Sequence, residues 1–86
     1  MDLKAVVAKY LEAAGRFGEA VPLARLGIDQ AAIEAAVSAW EEDYHLSRHF
    51  ELVPASPMSP GAPAYRINGA SYTAIVFRET IRDVLE

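Results

Sequence analysis

Two histidines four residues apart, His45 and His49, are the pair whose types and spacing come nearest to a metal site. On a helix running through both, the two imidazoles would share one face, an arrangement that can hold zinc. A structural zinc site needs four ligands and a catalytic one usually three, so Glu41 or Glu51 would have to complete the set, and the chain has no cysteine. The two histidines read instead as the end of a helix and the first turn of a protruding hairpin, where a protonated imidazole complements the helix's negative terminus. Ser47, Ser56, Ser59 and Ser71 sit in no nucleophile-elbow motif, and no base and orienting acid are specified for them. Glu41, Glu42 and Asp43 are consecutive, so their carboxylates diverge around a helix and form a solvated face. Gly61 and Gly69 lack the lysine spacing of a phosphate-cradling loop. The expectation is a protein without catalytic activity, metal or cofactor.

The elements that would position these residues follow from periodicity. Asp2 to Ala14 carries Leu3, Val6, Val7, Tyr10, Leu11 and Ala14 at helical spacing, with Asp2 as cap and Gly15 as terminator. Val21 can pair with a later strand, and Pro22 starts a compact helix through Leu26 that ends at Gly27. Asp29 caps a third helix from Gln30 to about Tyr44, whose apolar stripe is Ile33, Ala36, Val37, Trp40 and Tyr44. Trp40 and Tyr44 read as core anchors. From His49 to Val53 the period changes to two, a strand weakened by Pro54. The segment PASPMSPGAP reads as a loop, and Ala64 to Ile67 as a second strand ending in the turn pair Asn68-Gly69. Together these suggest a protruding hairpin. Ser71 then caps a last helix, Tyr72 to Leu85, whose apolar residues spread over more than one narrow stripe.

With 86 residues and no internal repeat, residues 1–86 form one domain. A chain of that size buries only roughly 60 to 65 per cent of its unfolded surface, so self-association would help it. A hydrophobic content of 52% with 23% charged residues argues for a packed core rather than disorder. The longest apolar runs fall far short of the roughly 20 residues that cross a bilayer. The start MDLKAVVAKYL mixes charge with apolar residues where a secretory signal needs an uninterrupted apolar run, so the expected location is the cytoplasm, with no membrane partner.

The order helix, short helix, helix, hairpin, helix resembles the winged helix-turn-helix superfamily, and the stretch VPLARLGIDQAAIEAAVSAW, Val21 to Trp40, carries the resemblance. Val21 or Leu23, Leu26, Gly27, Ile28, Ile33, Val37 and Trp40 take the superfamily's apolar and turn positions. The fold class expected is therefore α+β, winged-helix-like, with three N-terminal helices, a β-hairpin wing and a C-terminal helix. The resemblance implies a helix from Gln30 that enters the major groove of DNA and a wing that touches backbone or minor groove.

The charges speak against that use. Gln30, Ala31, Glu34, Ala35, Ser38 and Glu41 would face the groove. Gln30 to Tyr44 contains Glu34, Glu41, Glu42 and Asp43 and no basic residue, a local excess as large as the chain's net charge of −4. Phosphate is repelled there. The expected function is a regulatory or adaptor module acting through protein contact, with Ala31, Glu34, Ala35 and Ser38 on one helix and Ile75, Phe77 and Ile81 on the last as contact residues. A homodimer through the terminal helices is the favoured partner arrangement. The alternative is a dimeric DNA-binding regulator in which Arg16, Arg25, Gln30, Ser38, Arg48 and Arg66 touch nucleic acid.

Overall fold

The computed structural model describes residues 2–55 and 63–86, an α+β chain whose helices pack on one face of a small antiparallel sheet. Most of the proline-rich loop expected at PASPMSPGAP lies outside the described residues.

Helix α1, Leu3–Ala14, starts where the Asp2 carboxylate accepts the Lys4 N–H and stops where Gly15 turns left-handed at φ 79°. Strand β1, Val21–Pro22, leads into a 3-10 turn, Leu23–Leu26, closed by Gly27. Helix α2, Gln30–Glu42, is capped by Asp29, which accepts the Ala32 N–H at 3.3 Å. These boundaries follow the capping logic of the sequence.

The third helix was expected to continue to Tyr44, but it ends at Glu42. Asp43 leaves the helical region (φ −96°, ψ 108°) and its side chain caps a new short helix, α3, Tyr44–Ser47. The break takes Tyr44 off the apolar stripe: it is 72% exposed, whereas Trp40, one turn earlier, is 8% exposed and part of the core. Tyr44 is thus not a core anchor.

The larger correction concerns the last helix. Tyr72 to Phe77 is not helical; it belongs to strand β4, Ala70–Phe77, and only Ile81–Leu85 forms a helix, α4. Tyr72, Thr73, Ile75, Val76 and Phe77 are β-branched or aromatic, types that fit a pleated surface with neighbours on both sides. The fold supplies those neighbours. Strand β2, Phe50–Pro54, runs antiparallel along one side of β4, and β1 pairs with its other side through Val21 and Ile75. Ser71, the expected helix cap, stands opposite Arg66 in strand β3, Tyr65–Ile67.

The hairpin is also built differently from expectation. Among the described residues, β2 and β3 do not pair with each other; both pair with β4. The tight turn is Asn68-Gly69 between β3 and β4, with φ of 51° and 85°, the doubly positive geometry of a type I′ hairpin turn. Val53 faces Ala74 while Pro54 faces Tyr72, so Thr73 is an extra residue in β4. A bulge of one residue reverses which side chains face the core. Tyr72 points inward ahead of the bulge, together with its cross-strand neighbour Tyr65 and the nearby Ile67, and Ile75 and Phe77 do so after it.

The core lies between the helices and this inner sheet face. Val6, Val7 and Tyr10 of α1 and Ile33, Val37 and Trp40 of α2 meet Val21, Phe50, Ile75 and Phe77. The Tyr10 ring sits edge-on to Phe77 at 5.1 Å between centroids, a favoured aromatic geometry. Ile75, Phe77 and Ile81, expected as contact residues, are fully buried in this core, so the folded chain does not present them to a partner. Among the described residues no helix is long and apolar enough to cross a membrane.

Candidate protein-contact site and the face of α2

The polar face of α2 carries Gln30, Glu34, Ser38 and Glu41 at spacings of three and four residues, so they form one row along the helix. Strand β3 lies along that row. The Arg66 backbone N–H donates to Glu34 Oε2 at 2.7 Å, and the Gln30 side-chain amide donates to the same oxygen at 3.1 Å and to the Ala64 carbonyl at 3.3 Å. At the other end of the row the Asn68 side-chain amide donates to the Ser38 carbonyl at 3.1 Å and to Glu41 Oε1 at 2.9 Å. Tyr65 and Ile67 alternate with these contacts and are buried, which pins the strand in place.

These bonds have an electrostatic consequence. Hydrogen bonds from the Arg66 N–H first, and from Gln30 second, hold the Glu34 carboxyl below the ordinary carboxylate range. Donors to the ionised form favour it. Glu34 therefore stays negative, and the helix face where a nucleic-acid reader would present donors and cations presents a carboxylate beneath a strand of the same chain.

Of the other expected contact residues on α2, Ala31 and Ala35 are exposed and lie beside the covered row. Ser38 is half-buried, with its carbonyl engaged by Asn68. The four arginines expected at a nucleic-acid surface come from four different segments of the fold, and Arg48 lies next to Arg78, whose guanidinium donates to the Arg48 carbonyl at 2.6 Å. Arg16 is paired with Glu19 just after α1. Arg25 lies in the 3-10 turn, beside Lys9 and Glu12 of α1. Arg48 closes α3, its guanidinium 5.9 Å from the Tyr44 ring centroid. Arg66 stands opposite Ser71, whereas Arg48 adjoins His49, whose carbonyl accepts the Arg78 N–H. Ser71 and Arg78 are seven residues apart along β4 and its end, and with Thr73 bulged out six positions remain, roughly 20 Å at about 3.3 Å per residue.

His45 and His49 do not share a helix face, because α3 ends at Ser47. His49 Nδ1 lies 2.8 Å from Thr80 Oγ1. Among the described residues no group of three or more metal-ligating side chains comes together. The residue that sequence reasoning left out of the site is Asn68. The sequence marks it only as a turn former, yet it ties the turn to α2. Its pairing with Asn-Gly turn geometry was legible, but its long-range partners were not. Comparison with family models, curated proteins and solved structures returned no match.

Proposed function

We propose that this chain is a winged-helix-like module without catalytic activity that acts as a regulatory or adaptor element through protein contact, including contact with its own copy. The observation that supports this reading is the row Gln30, Glu34, Ser38 and Glu41. Two of its members are carboxylates, and all four make contacts to the segment from Ala64 to Asn68. A helix used for groove reading needs free donors toward base edges and positive charge toward phosphates. Here the donors of Gln30 are engaged and the charge has the wrong sign. The separation of Arg66, opposite Ser71, from Arg48, beside the Arg78 end of the sheet, also weighs against the alternative, a DNA-binding regulator, since firm duplex binding gathers several cations along one surface.

The discriminating experiment is fluorescence anisotropy of a labelled mixed-sequence duplex titrated with the protein at low and at moderate salt. The expected result is no saturable binding at either. Saturable binding that weakens steeply with added salt would replace this reading with the DNA-binding one.

A further inference from the structure

Asn68 is the only asparagine in the chain, and a glycine follows it. Its side-chain amide anchors the β3–β4 turn on α2, donating to the Ser38 carbonyl at 3.1 Å and to Glu41 Oε1 at 2.9 Å. We infer that Asn68 is a self-modification site: the Gly69 backbone nitrogen displaces its amide when the turn leaves α2, and the carboxylate left behind keeps the turn from docking again. This chemistry is independent of what the chain binds.

The reaction needs only water and groups that the turn already brings together. A bond forms between the Gly69 nitrogen and Asn68 Cγ, closing a cyclic imide. The bond from Cγ to Nδ2 breaks, and Nδ2 leaves as ammonia with the proton that the Gly69 nitrogen gives up. Water then opens the imide. Attack at the side-chain carbonyl yields aspartate, and attack at the backbone carbonyl yields isoaspartate, in which the chain runs on through the former side-chain carbon. Local structure supplies both reactants. Gly69 has no side chain to shield its nitrogen, and the ladder pairs Ile67 with Ala70, which leaves the Gly69 N–H outside it. Among the described residues that N–H donates to no backbone carbonyl. Asn68, Gly69 and Ala70 are all exposed, so water reaches the imide.

Docking on α2 both restrains the reaction and sets its consequence. Closing the imide requires the Asn68 side chain to turn back along its own backbone, which takes Nδ2 off both of its acceptors. Conversion therefore proceeds from the opened turn, a local fluctuation that leaves the rest of the fold in place. Afterwards nothing at position 68 donates from the side chain. A carboxylate only accepts, and the groups it meets on α2 are a carbonyl and the Glu41 carboxylate. Two like charges then stand where a charge-assisted hydrogen bond stood. Isoaspartate adds a backbone carbon as well, which the tight geometry of a type I′ turn does not accommodate. Tyr65 and Ile67 stay buried and Glu34 still holds the Arg66 N–H, so the release is confined to the turn end of β3.

The test holds the intact chain at mildly alkaline pH and body temperature and follows the tryptic peptide Ile67 to Arg78 by mass spectrometry. Asn68 is the only side-chain amide in that peptide, so a mass gain reports its conversion alone. The expected result is conversion of the folded chain to separable aspartate and isoaspartate forms, several-fold slower than in guanidinium chloride. Glu41→Ala, which removes one acceptor, should speed the folded-state reaction several-fold and leave the rate in denaturant unchanged. On the product side, Asn68→Asp should lower the urea midpoint, and adding Glu41→Gln, whose amide donates, should recover most of the loss. Equal rates in the folded and unfolded chain, or a folded chain still unconverted after many unfolded-state half-times, overturn the proposal. So does a Glu41→Ala rate equal to that of the wild type, or an Asn68→Asp variant that is fully stable or gains nothing from Glu41→Gln.

Discussion

Glu34 shows how one side chain decides what a helix face can do. Its carboxyl is held below its ordinary value of 4.5 because the ionised form accepts two donors, chiefly the Arg66 N–H. A folded-state value lower than the unfolded one contributes stability above the unfolded value, and that contribution is lost as pH falls through the folded value. The Arg66 amide proton, followed by NMR on lowering the pH, should therefore move with a midpoint below 4.5, and Glu34→Gln should abolish that movement. A midpoint at or above the ordinary value would contradict the hydrogen bond. Trp40 and Tyr44 make the same point about burial. Both lie on one expected apolar stripe, but Asp43 is a good cap for a new helix, and the break sends Tyr44 to the surface. Periodicity registers the stripe and is blind to a cap that interrupts it. In urea melts, Trp40→Ala should cost about 3 to 5 kcal/mol, whereas Tyr44→Ala should change stability by roughly 0.5 kcal/mol or less. Equal losses would place Tyr44 in the core after all.

At the scale of elements, the first half of the chain was legible because its signals are local. Asp2, Gly15, Pro22, Gly27 and Asp29 each act within one turn of their own position, and the elements begin and end beside them. The second half was not, since β4 exists through partners far away in sequence: Val21 on one side and Phe50 to Pro54 on the other. Its apolar residues fit neither a clean helical stripe nor a clean alternation, because the Thr73 bulge inverts the alternation midway. The same strand carries β3 onto α2, so misreading it concealed what covers the polar face. The turn that allows this is Asn68-Gly69. Gly69 sits at φ +85°, and a Cβ placed there meets nothing within 4 Å. Gly69→Ala should therefore destabilise through backbone strain rather than a clash, by about 1 to 2 kcal/mol in chemical denaturation. A neutral result would mean that the turn adopts another geometry.

For the whole molecule, an α+β architecture with one core was legible in the chain, while the division of labour between its two sheet faces was not. Alternation in a misassigned strand could not reveal that Ile75 and Phe77 are spent inside and that Val76 and Val53 remain outside. Negative charge on α2 was visible in the residues themselves, and the fold adds a strand laid across it by Glu34, Ser38 and Glu41. Under the function proposed above, a partner is met elsewhere on the surface, since the Gln30 amide is engaged and the α2 row carries carboxylates instead of cations. The direct test is a two-dimensional amide NMR spectrum of the chain recorded with and without excess duplex DNA at low salt. Unchanged signals for Gln30, Glu34, Ser38, Arg66 and Asn68 are the expected result. Shifts that follow the α2 row as duplex is added would mean that β3 gives way and the helix reads DNA, contrary to the function proposed above.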